Sequence, residues 1–424
     1  MCRRLLTAAL VLAASIAAAA ELAPSGDAPG VTVVDGRAAP ALRGLATSSL
    51  RMFARVSGRL QAIPFQVDER DARERWVVDL GPHPNSDESP GVVDENDALV
   101  FMNRDLGARA TAAALPRGGR SWIEIRVGAA DAPLGWAYAA SFDANTPLAT
   151  RTYQRYEPEH DRVFAERYAL AFDGPLPSHV GFVDALGGTG ENQIDAVRAQ
   201  GEARILGGMI TLSRTERDVR SEVQAWRRGP VRTIRRGQYW IRLPLGFKAK
   251  GKVDLIFYRD FVEGAAIVKV KIPPRLIPAD GDLTAYFDFR DLSGAHLLVD
   301  GAMRDAVVDG VLSPAEKEVG EREADWAALV LPGGRSFLLA VRRAGALAKL
   351  DQRPYFRDGA GVGRDGRPSF GFELSHANRL ETGQHALTVT GMILPTTDPE
   401  PLRRAASILL SPPAVEVAPI GDAR

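Results

Sequence analysis

Cysteine is all but missing: Cys2 is the only one in 424 residues. It stands before the apolar run that begins at Leu5, so it does not occupy the place of a lipoprotein acceptor. Disulfides, thiolate metal sites, c-type haem attachment and cysteine nucleophiles are therefore excluded from the body of the chain. Histidine is sparse as well. His83, His160, His179, His296, His376 and His385 form no His-x-His and no His-Glu-x-x-His, so no zinc motif is legible. There is no complete phosphate loop, Gly-x-x-x-x-Gly-Lys followed by Ser or Thr, and no Gly-x-Ser-x-Gly elbow. Gly359 to Gly363 is glycine-rich but follows no clear strand and opens no helix, which argues against a dinucleotide site. Neither sign of charge dominates, with 53 basic and 53 acidic residues. Such a balance exerts no long-range pull on nucleic acid or an anionic membrane, so neither is expected as a partner. No repeat of fixed period stands out, which disfavours propellers and solenoids.

The first residues are what the chain does have. Arg3 and Arg4 precede an apolar run from Leu5 to Ala20, and Ala18-Ala19-Ala20 offers an A-x-A cleavage site. This reads as a secretory signal peptide over residues 1–20, and hence as a periplasmic or secreted protein. The alternative is a membrane anchor, but the run of 16 residues is short of the roughly 20 a bilayer needs. No later stretch is long and apolar enough to span a membrane, so the mature chain is expected to have no transmembrane segment.

The remaining length predicts two domains. Val31–Val34, Leu50–Val56, Leu60–Val67, Trp76–Leu80, Ala98–Met102, Trp122–Val127 and Trp136–Ala140 read as short strands, several alternating apolar and polar residues. Pro64 demotes its run to an edge or a bulge. This spacing, with no helix between, predicts an N-terminal β-sandwich over 27–145. A polar connection follows, and 150–410 is again strand-rich. Its expected hairpins include Val231–Arg235 with Gln238–Leu243 about Arg236-Gly237, and Trp326–Leu331 with Ser336–Val341. Asn192 to Ile205 is open between helix and strand. Ser313-Pro314-Ala315-Glu316 is a capping box that predicts a surface helix to about Ala324. Leu402 to Leu410 reads as a closing helix, after which a Pro-rich tail trails off. The fold class is all-β, a sandwich followed by a larger supersandwich-like domain.

Acids concentrate in one place. Asp68, Glu69 and Asp71 follow one apolar run, and Asp94, Glu95, Asn96 and Asp97 precede another. If the two strands are neighbours, both acid runs meet at one end of a sheet. Hard oxygen donors converging on a turn suit calcium, with Asp68, Asp71, Asp94, Asn96 and Asp97 as candidate ligands. The spacing is not that of an EF-hand. The plainer alternative is that these residues cap turns.

Pro64-Phe65-Gln66-Val67-Asp68, followed by Asp97-Ala98-Leu99-Val100-Phe101, resembles the N-terminal β-sandwich of secreted proteins related to exo-acting rhamnogalacturonan lyases. Gly229-Pro230-Val231-Arg232 and Ile256-Phe257-Tyr258-Arg259-Asp260 resemble the start of their large β-supersandwich, a fold shared with galactose mutarotase. The match covers about 60 residues in pieces, and the chain departs from it by lacking the full Gly-Asp-Gly turn. It is similar also to uncharacterised secreted bacterial proteins. The resemblance implies a glycan-engaging protein, lyase-like or carbohydrate-binding, with a polysaccharide or oligosaccharide as partner and no organic cofactor.

Hydrolysis of a glycan needs two opposed carboxylates, and Asp288 with Asp291 or Asp260 with Glu263 are candidates. A lyase needs a cation to neutralise a uronate and a base. Arg232, Arg235, Tyr239, Arg242, Tyr258 and His296 are the available groups. Arg232, Tyr239, Tyr258, Asp288 and His296 form the candidate catalytic set, each with an ordinary surface role as its plain alternative. Tyr153, Tyr156, Tyr168, Trp226, Tyr239, Trp240, Tyr286 and Phe287 could stack on sugars, though at strand spacing at least half belong in the core. A non-catalytic envelope protein mediating protein contacts is the competing expectation.

Overall fold

The computed structural model describes residues 28–143, 146, 148–183, 188–205, 210–242, 248–270, 281–299, 302–358 and 366–421. The expected leader, residues 1–20, and the glycine-rich run 359–363 lie outside them. The described residues form an all-β fold of five sheets, with two α-helices.

The strand Ala98–Met102 explains the layering. All five of its residues are buried, because alternate side chains of a strand point to opposite faces and here both faces are covered. Leu99 and Phe101 enter a core with Met52, Ala54, Ile123, Ile125 and Ala137. Ala98, Val100 and Met102 enter another with Ile234, Ile256, Tyr258, Leu338 and Met392. Burying Phe101 alone contributes about 2–3 kcal/mol. The strand is the middle of a three-stranded antiparallel sheet, flanked by Val31–Asp35 and Gln66–Asp68.

On one side of this small sheet lies a five-stranded sheet. Its order is Val415–Pro419, Arg120–Gly128, Pro133–Ser141, Leu50–Val56 and Arg59–Ala62. On the other side lies a nine-stranded sheet. Its order is Val219–Arg228, Thr233–Arg242, Lys248–Phe257, Phe261–Val270, Gly383–Leu394, Arg335–Arg343, Trp326–Leu331, His296–Val299 and Ala302–Val307. The helix Pro399–Leu410 lies against it through Leu402, Ala405, Ala406 and Leu409. The opposite face of the nine-stranded sheet buries Phe257, Leu329, Phe337 and Ile393 against Phe289, Phe356, Phe370 and Phe372. Those last four phenylalanines belong to an outer five-stranded sheet. It is ordered Ile210–Thr215, Ile194–Ile205, Asp282–Phe289, Ser369–Ser375 and Asp351–Arg357. A meander from Gln154 to Asn192 adds Tyr156, Val163, Tyr168 and Phe172 to the same core.

Several local expectations change. Leu60–Val67 is not one strand: Arg59–Ala62 and Gln66–Asp68 lie in different sheets, because Pro64 has no amide hydrogen to continue the ladder. Trp76–Leu80 makes only isolated bridges, Arg70 with Trp76 and Leu80 with Trp226. Arg236-Gly237 is no hairpin turn. Thr233–Arg242 runs straight through it, since a strand paired on both sides supplies every ladder bond a turn would give up. Ile194–Ile205 is a long strand. The capping box is present in full, and its helix spans Pro314–Glu321. The tail does not trail off: Val415–Pro419 pairs with Arg120–Gly128.

Candidate functional site

Pairing of Gln66–Asp68 with Ala98–Met102 puts Asp68 opposite Ala98, so the two acid runs do meet at one end of the small sheet. They then divide into two environments. Asp68 is fully buried and faces the nine-stranded sheet. It accepts from Arg232 Nε at 2.7 Å and Gln66 Nε2 at 2.7 Å, with Arg227 at 3.3 Å. Asp71 accepts from Arg75 Nε at 2.9 Å and Asn85 Nδ2 at 3.1 Å. Burial pushes its carboxyl up, but bonds from the Arg75 side chain and the Arg75 and Arg73 amides outweigh that and hold it below the usual range. Asn96 donates to the Asp71 carbonyl at 3.4 Å, and its own Oδ1 has no hydrogen-bond partner.

Asp94 and Asp97 are joined by a residue from the loop between the runs, Asp87. One carboxylate oxygen from each lies within 4.8 Å of the other two. Asp87 is 6% exposed and its Oδ1 has no hydrogen-bond partner. Burial pushes Asp97 up to about 6, with the Asp94 and Asp87 charges adding to it against hydrogen bonds from the Asp94 and Arg70 amides. Three converging carboxylates, two of them buried and one with a spare oxygen, fit a hard cation bound by oxygen alone. The triad could hold a metal ion.

Arg232 and Tyr258 sit together, but inside the molecule. Arg232 is 2% exposed and donates to Tyr258 Oη at 2.9 Å as well as to Asp68. Its guanidinium lies over the Trp76 ring, 4.5 Å from the centroid. Gln66 Oε1 accepts from the Val231 and Arg232 amides. Gly229 permits this approach, since a Cβ there would stand 2.2 Å from Gln66 Oε1. Burial pushes the Tyr258 hydroxyl up to about 12. The pair locks two layers together and presents no open catalytic face. His296 stands on the side of the nine-stranded sheet that carries Leu298 and Val330, away from the outer sheet. Tyr239 lies on the opposite side of that sheet, its ring packed on Gly237, where a Cβ would lie 2.6 Å away. Asp288 is in the outer sheet. The five candidate catalytic residues are thus spread across the layers.

Asp288 has other company. Across four adjacent strands, register aligns three rows on the face of the outer sheet away from the core, in which Thr284, Tyr286, Asp288 and Ser369 are themselves buried. Arg198, Tyr286, Gly371 and Tyr355 form one row. Ala196, Asp288, Ser369 and Arg357 form the second, and Gln200, Thr284, Glu373 and Arg353 the third. Asp288 accepts from Arg198 Nε at 2.9 Å and Ser369 Oγ at 2.7 Å, and Arg198 also reaches Glu216 at 3.2 Å. The Tyr286 and Tyr355 rings stack with centroids 4.5 Å apart, leaning together over Gly371. Arg357 lies over Tyr355 at 4.6 Å. Burial pushes the Tyr286 hydroxyl up to about 12, with Tyr355 and Asp288 adding to it. Both tyrosines are therefore neutral hydrogen-bonding groups in ordinary conditions. Of this face, sequence reasoning singled out Asp288 and Tyr286 and missed Arg198, Tyr355, Arg357 and Ser369. The available signal was Arg353, Tyr355 and Arg357 at alternate positions of one strand, outward of buried Gln352, Pro354 and Phe356. Of the proposed stacking aromatics, Tyr153, Tyr156, Tyr168 and Tyr286 are buried and Phe287 packs on the core.

No protein-family model matches the chain, and no curated protein matches it in sequence. Among solved structures it is similar to an α-mannosidase from Enterococcus faecalis V583, with TM-score 0.51 and 9% identity. That likeness covers 93% of this chain and 44% of the mannosidase. It is similar also to a protein of glycosyl hydrolase family 38 from Enterococcus faecalis, with TM-score 0.50 and 9% identity over 93% of this chain and 46% of that one. The chain thus spans less than half the length of either, and what the three share is a fold found in carbohydrate-active enzymes.

Proposed function

We propose that this protein engages glycans, and that of the two expectations, lyase-like or carbohydrate-binding, it is a carbohydrate-binding protein and not a bond-cleaving enzyme. The observation that carries the reading is the three-row grid on the outer sheet. Arg198, Arg353, Tyr355, Arg357 and Glu373, part-exposed beside buried Tyr286, Asp288 and Ser369, point the same way from adjacent strands, which suits multidentate hydrogen bonding to sugar hydroxyls. Both oxygens of buried Asp288 are engaged by Arg198 and Ser369, so it holds Arg198 in place on this face instead of serving as a free base. Export to the periplasm or the exterior belongs to the same proposal, on the strength of the leader sequence.

Screening the full chain against neutral and acidic polysaccharides tests it. Binding that weakens about tenfold or more in Tyr355→Ala, with an unchanged melting temperature, is expected. No binding across the panel, or binding indifferent to Tyr355→Ala and Arg198→Ala, overturns it; release of new reducing ends or unsaturated uronates would overturn the non-catalytic part. The triad of Asp87, Asp94 and Asp97 is proposed to take calcium as a stabilising ion. Added calcium should raise the melting temperature in the native chain and not in Asp87→Ala.

A further inference from the structure

The nine-stranded sheet carries a second polar face. Ile234, Ile256 and Phe261 point into the core shared with the N-terminal layers. Further along the same strands, the same side carries Gln238 and Trp240, Lys252 and Lys250, and Ile267 and Lys269, because side chains alternate with period two. Register sets Arg220, Trp240 and Lys250 abreast, with Glu222, Gln238 and Lys252 in the next row. Arg220, Lys250, Lys252 and Lys269 are exposed, as is Ile267 at 58%, while Trp240 is half-buried.

The charges on this face are out of balance. Elsewhere most arginines are matched to acids, as in Arg232 with Asp68, Arg235 with Asp161 and Arg236 with Asp254. Lys250, Lys252 and Lys269 pair with no carboxylate among the described residues. Among the described residues, Arg220 donates only to the main-chain carbonyls of Arg217 and Val219. The nearby acids are mostly taken: Asp254 by Arg236 at 2.7 Å and Glu263 by Arg342 at 3.7 Å, which leaves Glu222. Four cations with no carboxylate partner among the described residues therefore lie about one indole on this strand surface. Alternate residues of a strand stand about 7 Å apart and neighbouring strands about 5 Å. That makes a lattice of positive charge at the scale of anionic groups along a polymer.

We propose that this face binds an acidic polysaccharide, one bearing uronate or sulfate groups, with Lys250, Lys252, Lys269 and Arg220 matching its charges and Trp240 lying against a sugar ring. The inference rests on the glycan reading above but uses a different surface. A polysaccharide suits the face better than a nucleic acid, because one aromatic is present where single strands need a succession of stacking platforms.

The test is affinity of the full chain for polygalacturonate, heparin, a neutral β-glucan and single-stranded DNA, at low and high salt. Native protein is compared with a Lys250→Glu, Lys252→Glu, Lys269→Glu triple variant and with Trp240→Ala. Binding to polygalacturonate or heparin should fall at least about tenfold in the triple variant and weaken with salt, while neutral-glucan binding is unchanged. Preference for one of the two polymers assigns the anion as carboxylate or sulfate. Acidic-polymer binding that survives the triple variant overturns the inference, as does equal affinity for DNA. Neutral-glucan binding with no acidic-polymer binding overturns it and leaves the broader reading intact. Absence of binding to every polymer removes both. The substituted residues are on the surface, so an unchanged melting temperature separates lost binding from lost folding.

Discussion

Arg232 donates to Asp68 at 2.7 Å across the boundary between the small sheet and the nine-stranded sheet, both side chains almost wholly out of water. The two residues are 164 apart in sequence, so the bond ties the two halves of the chain. Removing one partner leaves the other as an uncompensated buried charge. Asp68→Ala should lower stability by about 3–5 kcal/mol. An Asp68→Ala, Arg232→Met double variant should recover part of that loss. Denaturant unfolding of the three proteins decides the matter; a cost for Asp68→Ala under about 1 kcal/mol would contradict it.

Asp97 supplies a pH dependence. Unfolded aspartate titrates near 3.9, whereas Asp97 in the fold titrates at about 6. The folded chain therefore binds more protons between those values, and stability attributable to this group falls as pH rises through about 4 to 6, then levels off. In metal-free protein the Asp97→Asn variant should lack this slope, a difference of about 1–3 kcal/mol across the window. The readout is the change of unfolding free energy with pH, since the substitution also removes an acceptor and shifts the absolute stability. Equal slopes in the two proteins would refute the assignment.

Gly371 is the seat of the tyrosine stack. A Cβ at this position would lie 2.1 Å from the Ala285 carbonyl oxygen and 2.6 Å from Tyr286 Cβ. Gly371→Ala should part the Asp282–Phe289 and Ser369–Ser375 strands, cost about 1–3 kcal/mol, and abolish the near-ultraviolet circular dichroism of the paired rings. Retention of that signal would show that the sheet absorbs the methyl group.

Ser313 caps the helix Pro314–Glu321, accepting from the Glu316 amide while the Glu316 carboxylate accepts from the Ser313 amide. Ser313→Ala is expected to cost about 1 kcal/mol. Amide exchange should quicken in the first turn of that helix and nowhere else.

Much of the architecture was legible because strands buried on one face alternate and strands buried on both do not. Ala98–Met102 and Trp122–Val127 advertise those two conditions. Ser313-Pro314-Ala315-Glu316 is legible for a different reason: a capping box satisfies its own amides locally, so no distant residue can overrule it. Arg236-Gly237 misleads because a dipeptide favourable to turns carries no information about ladder partners on either side. The grid on the outer sheet was hidden for the same reason. Arg198, Asp288, Ser369 and Tyr355 come from four strands, and only their register makes them neighbours. Asp87 was invisible within a loop rich in Pro, Ser and Asn, where an acid ordinarily means solvation.

The pairing of Val415–Pro419 with Arg120–Gly128 has a consequence for biogenesis. A ribosome emits the Arg120 segment long before the strand that covers its open edge, and most of the chain intervenes. Until that last piece emerges, an unpaired edge of the first body is available to other chains. Maturation of this protein is therefore expected to depend on a holding chaperone, and nascent chains stalled short of Val415 should be the species that aggregate.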